Sequence, residues 1–321
     1  MARVLLFFID GVGLGAADPD VNPFLAAHLP TFRGLLGGSA VTLDVAPRVS
    51  RRASLVPCDA VLGFAGTPQS GTGQASLLTG TNAVALHGRH FGPWVPARLR
   101  TFVREENVLV HALAAGYSAA FANAYPEEVG ELVEGAAVAL PSDNPAHGTR
   151  ARRAPSFLRA GPPLAALGAG LLTRHTPELE RGDAVTSELT NEGWRERLGR
   201  MNVPAIDAVA AGRNLGRIAA QHDLTLFAHY ATDYAGHLRD MGAAVLALEK
   251  LDAFLAGLLH AAGDDLLICI VSDHGNIEDM RVGHTRNPAL ALLIGNGHAL
   301  AARRLRSLTD VMPAILDVLS L

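Results

Sequence analysis

The chain has 321 residues, room for two domains of ~150 residues or for one enlarged domain carrying an insertion. Hydrophobic residues make up 49% and charged residues 18%, enough for a large core and too apolar for a disordered chain. A formal net charge of −4 argues against nucleic acid gripped by a broad basic surface, and two cysteines cannot build a disulfide scaffold or a four-thiolate zinc site.

The first apolar run, Val4 to Ile9, stops at Asp10. It is too short for a secretory leader, and nowhere does the chain offer the ~20 apolar residues of a membrane span. The expectation is a cytoplasmic protein with no membrane partner. Further apolar runs end abruptly in polar residues. Leu224–Tyr230 leads to Asp233, Leu266–Val271 ends at Ser272-Asp273-His274, and Ala289–Ile294 ends at Gly295-Asn296-Gly297. Continuous runs of this length predict parallel strands covered on both faces. Helical patterns fall between them. One runs from Pro204 to His222 with Asn202 as its cap. Another runs from Met241 to Ala262, where Val245, Leu248, Leu251, Leu255, Leu258 and Leu259 keep an i, i+3, i+4 spacing.

Strands alternating with helices predict an α/β fold with a doubly wound, mostly parallel sheet, whose ligands gather beyond the carboxyl ends of the strands. All the polar strand-ends named above are expected at that edge. The stretch 93–201 is rich in Ala, Gly, Pro and Arg, with weak strand and helix signals. It is read as an inserted, smaller cap domain, with 1–92 and 202–321 together forming the catalytic core.

Four clusters carry chemistry. They are Asp10-Gly11-Val12-Gly13, the segment Thr67 to Gln74 with Ser70 before a helical stretch, Asp233-Tyr234-Ala235-Gly236-His237, and Asp273-His274-Gly275-Asn276 followed by Gly283-His284-Thr285. Taken singly each fits a turn or an exposed helix face. Together, three Asp, three His and one Ser supply mixed oxygen and nitrogen donors for two divalent cations. Carboxylate with imidazole suits Mn²⁺ or Zn²⁺ and argues against Ca²⁺. Two such cations form a clamp for in-line phosphoryl displacement, and a Ser at a helix start sets the phosphoryl group against backbone N–H groups. The Gly11 to Ala16 run satisfies a loose dinucleotide pattern, but Pro19 and Pro23 break the helix that should follow it. The one lysine, Lys250, lies in no phosphate-loop context.

The constellation resembles the alkaline phosphatase superfamily, and within it the metal-binding core of cofactor-independent phosphoglycerate mutase and phosphopentomutase. The opening Phe8 to Gly15 and the segment Tyr234 to Asp240 are similar to phosphopentomutase, and Asp273 to Asn276 with Gly283 to Thr285 to phosphoglycerate mutase. Gln74 stands where both mutases carry a His. The resemblance implies that Asp10, Ser70, Asp273 and His274 hold one cation and Asp233, His237 and His284 the other, with Ser70 the residue phosphorylated. The implied cofactors are two divalent ions, Mn²⁺ first, with Zn²⁺ or Mg²⁺ as alternatives. The implied activity is a phosphomutase acting on a small phosphorylated sugar or acid, with a metal-dependent phosphatase or phosphodiesterase as the alternative. The expected partner is therefore a small anionic phosphorylated substrate. Arg281 and Arg286 beside His284, and Arg150, Arg152 and Arg153 in the insertion, are the expected anion clamps. Trp94 and Trp194 are read as packing residues. The sequence assigns no oligomeric state.

Overall fold

The computed structural model describes residues 2–128 and 156–320. Seven strands make one sheet: β1 (Arg3–Ile9), β2 (Arg48–Val49), β3 (Ala53–Cys58), β4 (Ala119–Phe121), β5 (Leu224–His229), β6 (Leu266–Ser272) and β7 (Ala289–Gly295). Their order across the sheet is β2-β3-β7-β6-β1-β5-β4. β1 lies between β5 and β6, parallel to both, and β4 adds in parallel beyond β5. β7 runs antiparallel to both β6 and β3. The α/β class and the mostly parallel sheet are as the sequence predicts.

The alternation of side chains along β1 shows why its run is apolar without interruption. Val4, Leu6 and Phe8 enter one core cluster, while Leu5, Phe7 and Ile9 enter another. The first cluster packs against the helices Ser70–Thr79, Val108–Ala114 and Val311–Leu319. The second packs against Ala208–Ala219 and Met241–Ala261, with the Phe7 ring centroid 5.1 Å from Phe227 and 5.7 Å from Phe254. Each such fully buried side chain contributes about 1.5–3 kcal/mol relative to exposure. This two-sided burial fixes the sheet and thereby the positions of its strand ends.

Three expectations change. The helix predicted over 204–222 spans Ala208–Ala219, because Asp207 rather than Asn202 caps it, its Oδ1 accepting from Ala210 N at 2.7 Å. Asn202 instead donates to Glu180. Gly295-Asn296-Gly297 does not join the other polar ends. β7 is antiparallel, and Gly295 pairs with Leu267 at the start of β6, which puts these residues on the opposite edge. Within 93–201, β4 pairs with β5, and Val108, Leu109, Phe121 and Ala165 lie in the first core cluster. That part of the segment is built into the main sheet and its covering helices. No helix among the described residues is long and apolar enough to cross a membrane.

Candidate metal centre

Asp10 is the first residue beyond β1, its N–H donating to the His229 carbonyl at 2.9 Å. Asp273 and His274 follow β6 directly. Asp233 and His237 share one face of the helix Ala231–Leu238, one turn apart. Ser70 is the first residue of the buried helix Ser70–Thr79, at the positive end of its dipole. His284 lies on the loop between β6 and β7. Gly11, at φ +68°, lets the Asp233 carboxylate come in beside β1; a Cβ there would fall 2.4 Å from Asp233 Oδ1.

Two donor groups result. In the first, carboxylate oxygens of Asp10 and Asp273 and a ring nitrogen of His274 lie within 4.8 Å of one another, all buried. His274 Nδ1 donates to the Gly275 carbonyl at 3.2 Å, so Nε2 faces inward. It lies 2.9 Å from Ser70 Oγ, 3.3 Å from Asp10 Oδ1 and 3.8 Å from Asp273 Oδ2. In the second, Asp233, His237 and His284 converge within the same 4.8 Å limit. His284 Nδ1 donates to the Pro68 carbonyl at 3.1 Å, which leaves its Nε2 3.5 Å from Asp233 Oδ1 and 3.1 Å from His237 Nε2. The His274 and His284 rings stack at 4.0 Å, joining the two groups. All seven residues expected at the site are therefore brought to one edge of the sheet.

The electrostatics fit cations. Asp10 Oδ1 and Asp273 Oδ2 are buried side-chain oxygens without a hydrogen-bond partner, and two imidazole nitrogens point at each other across 3.1 Å. Burial, with Asp10 and Asp233 close by, pushes the Asp273 carboxyl well above the usual carboxylate range, and burial likewise raises Asp10. Burial would lower His274, but the Asp273 and Asp10 carboxylates outweigh it and hold the ring at about 10. Burial also opposes ionisation of Asp233, yet hydrogen bonding with His284, the nearby His274 and the Asn276 amide bring it down to about 2.

Some residues that shape the site carry no sequence signal of their role. Glu278, fully buried, accepts from Gly13 N and Asn276 N at 2.8 Å each, from Thr285 Oγ1 at 2.5 Å and from Asn287 Nδ2 at 3.0 Å. It ties the loop carrying His274 and His284 to the turn after Asp10. Asn276 Nδ2 donates to Asp233 Oδ1 at 2.6 Å and to its carbonyl at 3.1 Å. Gln74 Nε2 donates to Asp10 Oδ2 at 3.3 Å, and Gln74 Oε1 accepts from Gly161 N at 2.8 Å. An acidic residue three positions after Asp-His-Gly was the one available pointer to Glu278.

A cavity of about 280 Å³ opens over Asp10, Ser70, Asp233 and His237, walled by Trp94, Tyr125, Tyr230 and Tyr234 among others. Trp94, expected only to pack, borders the site. Trp194 lies in a small separate core cluster. Arg281 and Arg286, expected as anion clamps, do not line the cavity. Arg281 is bound to Asp279 through Nε at 2.9 Å and Nη2 at 2.7 Å, and Arg286 Nη1 donates to the Gly66 carbonyl at 2.6 Å. Arg150, Arg152 and Arg153 lie outside the described residues.

Residues 206–321 match the family described as Metalloenzyme superfamily. A 2,3-bisphosphoglycerate-independent phosphoglycerate mutase of Desulforudis audaxviator is 37% identical over 113 residues, covering 32% of this chain and 21% of that protein. The same enzyme of Chloroflexus aggregans is 35% identical over 117 residues, with 32% and 21% covered. These matches span about a fifth of the curated relatives' length. Among solved structures, the PH0037 protein from Pyrococcus horikoshii aligns at TM-score 0.53 with 12% identity over 99% of this chain and 97% of that one. The alkaline phosphatase from the Antarctic bacterium TAB5 aligns at 0.50 with 11% identity over 99% and 98%, a likeness of fold.

Proposed function

We propose that this chain, a metalloenzyme of the alkaline phosphatase superfamily, moves the phosphoryl group of a small phosphate monoester onto Ser70. The observation that carries the reading is the Ser70 hydroxyl, 2.9 Å from His274 Nε2 and beside Asp10 and Asp273. In this reading Asp10, Ser70, Asp273 and His274 would hold one divalent cation, and Asp233, His237 and His284 the other. The donors suit Mn²⁺ first, with Zn²⁺ or Mg²⁺ as alternatives. The unpartnered oxygens of Asp10 and Asp273 and the facing imidazole nitrogens are the groups such ions would satisfy. Bound cations would supply a lowered hydroxyl pKa and neutralisation of phosphoryl charge.

The chain's own residues do the rest. Contact with His274 holds the Ser70 Oγ rotamer, and Gln74 and Asn276 orient the Asp10 and Asp233 carboxylates. Ser70 Oγ attacks phosphorus in line and gives up its proton, the bond from phosphorus to the alcohol oxygen breaks, and that oxygen takes a proton from solvent as the alcohol departs into the cavity. The start of the helix Ser70–Thr79 presents its dipole to the transferred group.

Return of the phosphoryl group to a second hydroxyl makes the chain a phosphomutase, the outcome favoured by its likeness to the mutases. Capture by water makes it a phosphatase. The His237 side chain, 52% exposed, favours that second reading, since it leaves a solvent path to the site. Pro93, Trp94, Tyr125 and Ala160 wall the cavity, and we assign these residues the role of covering the site.

The test is acid quenching of the Mn²⁺-loaded protein with a labelled monoester, followed by peptide mapping. Phosphate on Ser70 is expected. Absence of label, or label on another residue, overturns the reading. Free phosphate and isomerised ester, scored separately, decide between the two outcomes.

A further inference from the structure

We infer that the cavity beside Ser70 is a subsite for a flat, uncharged ring on the alcohol half of the ester. The inference rests on the phosphoryl-transfer reading and adds the substrate class. The geometry starts at Gly71, next to the nucleophile. A Cβ there would lie 1.9 Å from the Trp94 carbonyl oxygen and 2.8 Å from that of Phe91, so glycine lets the 91–94 strip press onto the first helical turn. Thr72 N fastens the strip by donating to the Phe91 carbonyl at 2.9 Å. Trp94 is thereby held beside the nucleophile, among the residues that line the cavity. Tyr125, Tyr230 and Tyr234 complete an aromatic wall facing Asp10, Ser70 and Asp233.

In this reading the alcohol half of an ester at Ser70 occupies this space, among the aromatic residues that line it. Aromatic side chains favour offset or edge-on packing of another ring. The volume of about 280 Å³ is at the small end for a ligand pocket, room for one ring rather than an extended chain. Charge selects in the same direction. Among the described residues no Arg or Lys lines the cavity, whereas Asp10 and Asp233 do. Lys250 is engaged elsewhere, its Nζ 3.1 Å from Thr190 Oγ1. A carboxylate on the alcohol half would therefore be desolvated with no Arg or Lys among the described lining residues to pair with it.

The test compares benzyl phosphate, ethyl phosphate and phosphoglycolate on the Mn²⁺-loaded full chain, reading alcohol release as kcat/KM. Benzyl and ethyl alcohols have similar basicity, so their ratio reports the subsite rather than the leaving group. We expect benzyl phosphate to exceed ethyl phosphate at least tenfold and phosphoglycolate to fall below ethyl phosphate. Trp94→Ala should cut the benzyl-to-ethyl ratio at least fivefold. Tyr234→Ala, at a position 68% exposed and thus harmless to folding, should lower the same ratio. A ratio near one, a preference for phosphoglycolate, or an unchanged ratio in both variants overturns the subsite. No alcohol from any ester, with no label on Ser70, overturns the phosphoryl-transfer reading itself.

Discussion

Glu278→Ala is the sharpest probe of how the site is held. The carboxylate is fully buried and takes two backbone N–H groups, from Gly13 and Asn276, besides Thr285 and Asn287. Removing it strands both buried backbone donors, at about 1–3 kcal/mol each, or roughly 2–6 kcal/mol together. Against a typical total stability of about 5–15 kcal/mol that is a large fraction. Asp279→Ala provides the control. Its carboxylate bonds Arg281, a side chain 64% exposed, and such a surface pair is worth at most about 1 kcal/mol. Urea unfolding of the metal-free proteins should show Glu278→Ala destabilised by several kcal/mol and Asp279→Ala almost unchanged. Equal midpoints for Glu278→Ala and the parent chain would refute the idea that this carboxylate pins the loop bearing His274 and His284.

Ser70→Ala should abolish the acid-stable phosphoprotein yet still bind two equivalents of Mn²⁺ by calorimetric titration, since Asp10, Asp273 and His274 remain; loss of one equivalent would contradict the assignment. Chelation should inactivate the protein and Mn²⁺ should restore activity, with phosphate release as the readout; full activity after exhaustive chelation would rule out a metal requirement. Burial holds His229 at about 4, with Nδ1 bonded to the Ser187 carbonyl at 2.7 Å. Its folded value lies below the ordinary 6.5, so its contribution is complete above pH 6.5 and is lost as pH falls towards 4, a ceiling of roughly 3 kcal/mol. Stability measured across that window should fall less steeply in His229→Gln, and parallel curves would refute the assignment.

The strands that build the site were legible because each is an uninterrupted apolar run closed by a polar residue. Asp10, Asp233 and Asp273 announced themselves at those closures. β7 misled because a run buried on both faces reads the same whether parallel or antiparallel; direction is set by the loop 275–288 crossing the carboxyl edge, not by the strand's residues. β4, three residues long, is too short to leave a periodic signal. Glu278 and Gln74 were opaque in their roles for another reason. Their partners are backbone groups and carboxylates far along the chain, at Gly13, Gly161 and Asp10. Trp94 is identified by the closeness of Gly71, which only three dimensions supply.

The donor groups also make a statement about folding. They come from positions spread between Asp10 and His284 and meet only when β1, β5 and β6 are in register. An unfolded chain offers no comparable site, so cations stabilise the folded form, by about 2.7 kcal/mol per site at a hundredfold excess over Kd. Without them the Asp10 and Asp273 carboxylates, both raised by burial, oppose folding. Burial and the nearby Asp10 and Asp233 raise Asp273 in the folded state, and an acid whose folded pKa is raised destabilises the fold at every pH above its ordinary 3.8. Asp273→Asn removes that penalty while keeping the side chain's size. It should therefore be more stable than the parent chain when both are metal-free, and less stable when both are in saturating Mn²⁺. Thermal melts with chelator and with Mn²⁺ measure the crossing. A variant less stable under both conditions would mean that Asp273 serves the fold through its hydrogen bonding, not through a charge awaiting a cation.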